Sequence, residues 1–260
     1  MSDANIYNAL ARVMEAQNKL TAAVEALNAA MRHPATHDAP TFAQVAHDLA
    51  EGDIDRYMVG DIIRARHQKY GEIPFVIIGK GQDNEPDGTG TERITAQAMR
   101  VLDYVQYSRV SDEYPYGKND YAASSVRAYL NGAFYDALQD DDRAAIVGAL
   151  KRTYTPNYDD MREPGYIAQT RELFFLLSAS EAGFEGRYIM DEGPAYAYFK
   201  GCDNERRVKT DMDGDESFWW LRSPIPSYAN LVRIVLTSGA LGIYSAYGGN
   251  GLAPACVIGA

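Results

Sequence analysis

Residues 218–224 read Phe-Trp-Trp-Leu-Arg-Ser-Pro, and the chain runs on as IPSYANLVRIVLTSGALGIYSAYGGNGLAPACVIGA over 225–260. Nothing in this stretch keeps a helical period. Leu231–Thr237 and Ala240–Tyr247 are short β-branched and aromatic runs flanking Ser238-Gly239, the pattern of a hairpin. Gly248-Gly249-Asn250-Gly251 turns the chain into a closing strand, Leu252–Ile258. With Val232, Val235, Leu241 and Ala246 facing the core, a second set faces outward: Ile234, Leu236, Ser238, Ala240, Ile243, Tyr244, Ser245 and Tyr247. Ile225, Ser227, Tyr228, Asn230 and Asn250 join it from the flanking turns. Exposed apolar residues among Tyr, Ser, Gly and Asn are the composition of a binding surface. Trp219, Trp220 and Arg222 are expected to be buried scaffold beneath it, with Arg222 paired to a carboxylate or capping carbonyls.

Upstream, the signals are mixed. Phe42–Glu51 keeps Phe42, Val45, Ala46 and Leu49 on one helical face. Tyr57–Ile63 and Ile73–Gly79 read as strands, the second a buried apolar run. Arg93–Val105 reads as helix or strand and leads into a Tyr-rich stretch. Ser124–Leu138 and Asp140–Leu150 read as helices, and Leu173–Ser178 as a buried strand. Helices come first and short strands cluster late, so the fold class is α+β.

The first thirty-three residues add a different element. Ile6, Leu10, Val13, Gln17, Leu20, Val24, Leu27 and Met31 alternate spacings of four and three, a strict heptad seam. An N-terminal coiled-coil helix over 1–33 is therefore expected, with Gln17 setting register at a core position. Three amides can hydrogen-bond one another there, so the expected assembly is a homotrimer. His33-Pro34-Ala-Thr-His37-Asp-Ala-Pro40-Thr is a break, and 34–52 reads as linker and short helix.

Composition excludes several classes. Lys+Arg 25 against Asp+Glu 36 leaves a net charge of −11, which opposes phosphate neutralisation and hence nucleic-acid binding. No apolar run is long enough to insert in a membrane, and residues 1–30 lack the apolar core of a signal peptide. Two cysteines make neither a disulfide scaffold nor a zinc ribbon. The 19 Tyr, against 8 Phe, are the unusual number, since tyrosine is over-used at recognition surfaces.

The ordered set GDII (60–63), FVIIGK (75–80), SSVRAYLNGAFYDAL (124–138), LFFLLSASEAGF (173–184), FWWLRSP (218–224) and GLAPACVIG (251–259) resembles a bacterial and phage family. Its members have a C-type lectin-like fold of the formylglycine-generating-enzyme-like subtype, and many are variable proteins of diversity-generating retroelements. The resemblance covers roughly 53–260 and implies a ligand-binding domain there, with a variable region at about 222–250. It also implies a phage or prophage tail-associated adhesin, located in a virion or on a bacterial surface. Its partners would be a protein or glycan receptor and other virion tail proteins. Such elements randomise template adenines, mostly in Asn codons, which excludes Lys, Gln, Glu, Met and Trp as outcomes. Residues 221–260 contain none of these five, whereas residues 1–220 contain 39, a depletion that buried strands share only in part.

Other chemistry is less well supported. Asp211-Met-Asp213-Gly214-Asp215-Glu216 lacks the spacing and distal Glu of a calcium loop, so no metal is expected. The four histidines, His33, His37, His47 and His67, lie far from any nucleophile, and Cys202 and Cys256 lack the paired pattern of the oxidising relatives. No catalytic residues and no cofactor are expected. The alternative is an enzyme related to formylglycine-generating or sulfatase-modifying proteins.

Overall fold

The structure, a computed structural model, describes residues 39–83 and 93–260 together with Met14 and Gln17. The chain divides into two units, Met1–Asp38 and Ala39–Ala260. In the first, Met14 and Gln17 are helical and exposed; the rest of the heptad seam and the 33–38 break lie outside the described residues.

The second unit is mostly β, with a few short helices. Helix α1, Phe42–Ala50, begins at a reciprocal cap: Thr41 Oγ1 accepts from Gln44 N (3.2 Å) and Gln44 Oε1 from Thr41 N (2.7 Å). Phe42, Val45 and Leu49 are buried in the main core, so this helix is part of the body and not of a linker. Strands β1 (Ile62–His67), β2 (Gly71–Lys80), β3 (Ile94–Ala98), β15 (Ala255–Ile258) and β5 (Ile146–Val147) lie side by side in that order. A short β8 (Phe174–Phe175) also pairs with β15. The last strand of the chain therefore sits inside the sheet, antiparallel to its neighbours.

A second sheet has the order β13 (Leu241–Ser245), β12 (Leu231–Val235), β11 (Trp219–Pro224), β14 (Gly249–Gly251) and β4 (Tyr104–Gln106). Two-stranded ladders complete the unit: β6 (Ala149–Thr155) with β7 (Tyr166–Glu172), and β9 (Lys209–Thr210) with β10 (Glu216–Ser217).

Strand periodicity explains the long apolar runs. Side chains alternate faces along a strand, and here both faces are buried. Phe75 and Ile77 enter one core while Val76 and Ile78 enter the other. Phe174 and Leu176 split from Phe175 and Leu177 in the same way, as Cys256 and Ile258 do from Ala255 and Val257. On β11, Trp220 joins the first core and Trp219 and Leu221 the second.

Several expected elements change. The expected helix 140–150 stops at Ala144 as α3 (Asp140–Ala144), because the following residues pair as β5 and β6. Alternating burial along Ala149–Thr155 is the strand period that a 3.6 pattern masked. The expected strand 57–63 begins only at Ile62, and of 173–178 residues 174–178 are buried but only Phe174–Phe175 pair. Residues 93–105 resolve into two strands, β3 and β4. The helix expected at 124–138 does start at Ser124, whose Oγ accepts from Arg127 N (3.2 Å). It runs as α2 (Ser125–Tyr129) and then loosens into a π turn, Leu130–Phe134, at the non-helical Gly132.

Candidate functional site

Arg222 on β11 is fully buried. Its five N–H donors are all used. Nη1 donates to Leu176 O (2.8 Å) and Glu181 Oε2, Nη2 to Arg152 O (2.9 Å) and Glu192 O (3.2 Å), and Nε to Thr153 Oγ1 (3.0 Å). Glu181 also meets Lys151 (3.1 Å), which donates to Asp83 (2.6 Å) and to Tyr196 Oη (2.7 Å). One chain of alternating charge thus ties β11 to β6, to the 176–192 segment and to the end of β2. Trp219 Nε1 donates to Arg207 O (2.9 Å) and Trp220 Nε1 to Val105 O (2.8 Å), so both indoles are buried with their polar atoms satisfied.

The two carboxylates flanking Arg222 respond oppositely to pH. Burial raises both. At Glu181 the neighbouring Arg222 and Lys151 outweigh it and hold the group down at about 2. At Glu192 burial prevails over Arg222, Ser223 Oγ–H and Tyr154 N–H and pushes the carboxyl up to about 7. Glu181 therefore contributes stability that is present above its ordinary value near 4.5 and lost as pH falls toward 2. Glu192 contributes stability that is present below 4.5 and lost as pH rises through 7. Glu192→Gln keeps an acceptor for Tyr154 N–H and, as the protonated acid does, offers a donor to Ser223 Oγ. Its stability is expected to match the parent near pH 4.5 and exceed it at pH 8 by on the order of 3 kcal/mol, read from melts at the two pH values. A gap that does not widen with pH overturns this.

The thirteen outward positions do not form one face. Ser227, Tyr228, Ser238, Ile243, Tyr244 and Tyr247 are exposed, and Ile225, Asn230, Leu236, Ala240 and Ser245 are half-buried. Ile234 and Asn250 are buried, a correction with two causes. Ile234 lies two residues from Val232 and must share its face toward the first core. Asn250 lies on β14, enclosed between β11 and β4. The same alternation separates Ile243, opposite Arg233, from Tyr244, opposite Val232 on the other face.

The structure brings together one end of the hairpin. Tyr247 lies 5.9 Å from Tyr116 between ring centroids, and Ser245 Oγ donates to Tyr116 O (3.3 Å). Asn230 Nδ2 reaches Ser245 Oγ at 3.4 Å. Tyr244 stands edge-on to Trp220 at 6.3 Å and lies on Gly248, where a Cβ would fall 2.2 Å from its ring. Gly117, at φ +72°, lets its backbone touch that of Ala246 and Tyr247, where a Cβ would come within 3.0 Å. Ser238 and Ala240 sit at the opposite tip, roughly 17 Å of strand away.

Residues outside the expected set organise this end. Asn119 is fully buried, and its Nδ2 donates to Ile225 O (3.3 Å), Tyr228 O (2.6 Å) and Leu231 O (2.8 Å). Tyr158 Oη donates to Asn119 Oδ1 (2.7 Å), and Lys118 Nζ lies 3.9 Å over the Tyr158 ring. The signal was present in the sequence: Tyr114-Pro-Tyr116-Gly117-Lys118-Asn119 repeats the Tyr/Gly/Asn mixture of the tail. Asn119→Ala is expected to cost about 1–3 kcal/mol and to speed hydrogen exchange across 225–231. Unchanged exchange there would refute its role as the pin of that loop.

Beside this end, an open groove of about 580 Å³ runs from Ser108 and Arg109 to Ser125, Ala128 and Tyr129. Ser108 N donates to Ala246 O (3.0 Å), which joins the groove wall to the hairpin. The acidic 211–216 loop is a turn: Asp211 Oδ1 accepts from Asp213 N (3.0 Å) and Asp215 N (3.1 Å), and Oδ2 from Tyr104 Oη (2.9 Å). Among the described residues no group of three or more His, Cys, Asp or Glu is placed to hold a metal, and no helix is long and apolar enough to cross a membrane. Cys202 and Cys256 are free thiols, and burial pushes the Cys256 thiol well up.

Fold and surface together define a mostly β domain presenting an aromatic hairpin on a buried scaffold whose two indoles and Arg222 are hydrogen-bonded. Residues 96–260 match the model of a domain of unknown function, DUF6273, and the chain belongs to that family. The match spans β4 to β15, and so the whole sheet that carries the hairpin. No curated protein and no solved structure matches the chain.

Proposed function

We propose that the chain is a ligand-binding protein of C-type lectin-like fold, a phage or prophage tail-associated adhesin diversified by a retroelement at its C-terminal surface. The observation that carries this reading is the uncharged aromatic set Tyr116, Tyr228, Tyr244 and Tyr247, 60%, 56%, 47% and 44% exposed. Large apolar surface left in water at such positions marks a site of interaction. The supporting scaffold suits a surface that changes: β11 is held by backbone pairing, the two indole N–H bonds and Arg222, and none of these hydrogen bonds runs to the side chain of Tyr228, Tyr244 or Tyr247. The absence of Lys, Gln, Glu, Met and Trp from 221–260 extends over this surface, including its exposed positions, where burial gives no reason for it.

Sequencing the gene's surroundings tests the reading. The expected result is a near-repeat of the segment encoding 218–260, differing from it at adenines, beside a reverse-transcriptase gene. Its absence removes the diversification.

A further inference from the structure

We infer that the outer edge of β13 takes an extended polypeptide segment of the ligand as an added strand, so that recognition at this surface is partly main-chain. This rests on the reading of the hairpin as the ligand surface.

β13 is the last strand of its sheet. Ala246 N donates to Asn230 O and Leu236 N to Ala240 O, both at 2.8 Å, which fixes the phase of the ladder. With Val232 opposite Tyr244 and Ile234 opposite Gly242, those pairs exchange the hydrogen bonds. The N–H and C=O groups of Leu241 and Ile243 then point away from β12.

Folded proteins blunt such edges with charge, proline, bulges, shortness or a cover. Several other edges among the described residues are blunted in these ways. β1 carries Arg64 and Arg66 and is capped by bridges from Thr41 and Leu138. β4 has three residues and β5 two, and β7 ends in Arg171-Glu172. Leu241–Ser245 has no charge and no proline, and its register against β12 runs unbroken from Ser245 to Leu241. Its two faces expose Ile243 (49%) and Tyr244 (47%), so an added strand would meet an apolar or aromatic side chain on each.

A second copy of this chain is the weaker occupant. Pairing β13 to β13 joins only a strip roughly 17 Å long and one strand wide, whereas a stable dimer buries ~800 Å² per partner. Two chains of net charge −11 also repel.

The test selects a displayed library of twelve-residue peptides on the full chain. Selected peptides are expected to protect the Ile243 amide from hydrogen exchange. They are expected to weaken about ten-fold or more when alternate backbone amides are N-methylated with side chains unchanged. Ile243→Pro removes only an N–H that faces away from β12, a position where sheets tolerate proline. It should bind them about ten-fold more weakly or worse, while Ile243→Thr, which keeps the donor, retains them. Peptides indifferent to N-methylation, a library that returns no binder, or a full-chain dimer broken by Ile243→Pro each overturn strand addition. A template repeat found alongside indifferent peptides removes strand addition and keeps the diversified surface. Strand addition without the repeat does the reverse.

Discussion

Arg222→Met is expected to lower stability by about 3–5 kcal/mol, because removing one partner of a buried ion pair leaves the other charge uncompensated. Glu181 loses its principal counter-ion, and four carbonyl or hydroxyl acceptors lose donors: Leu176 O, Arg152 O, Glu192 O and Thr153 Oγ1. For a body of this size that is a fall in melting temperature of about 10 °C. The double variant Arg222→Met with Glu181→Gln should recover at least about 1 kcal/mol, since it removes the stranded carboxylate while Asp83 and Tyr196 still hold Lys151. Thermal melts of the parent, both single variants and the double variant give the coupling. Strictly additive losses would mean that the pair is not the element holding β11.

Trp220→Ala should cost about 3–5 kcal/mol, as truncations of large buried side chains do. The indole has no exposed surface, lies 5.5 Å from the Tyr107 ring, and is tied to Val105 O. Tyr244→Ala, with nearly half its surface in water, should cost about 1 kcal/mol, most of it the edge contact with Trp220. Tyr247→Ala should fall in the same range. Equal losses for the tyrosine and tryptophan variants would make the tyrosines core residues and end the binding-surface reading.

Much of the second sheet was legible in residue order. The hairpin, its Ser238-Gly239 turn and the buried state of Trp219, Trp220 and Arg222 all follow from local chemistry: β-branched runs, a glycine at φ +74°, and a short apolar stretch around one arginine. The α1 boundary also follows locally, from a cap closed within four residues.

Three things needed the tertiary structure. Two-sided burial made alternation invisible, since both faces of β2, β8, β11 and β15 meet a core; the same effect hid that Ile234 points inward with Val232. The helix expected at 140–150 lost to β6, where pairing with β7, a partner some 17 residues on, overrode local propensity. Asn119 sits in a Tyr/Gly/Asn stretch, but which carbonyls it pins, the first 106 residues on at Ile225, is set only by the closed fold. Local residue types determined where the C-terminal hairpin extends and turns and which indoles are buried. Only long-range packing decided which edge stays open and which asparagine holds the loop beside it, because hydrogen bonds between distant segments exist only once the sheet has closed.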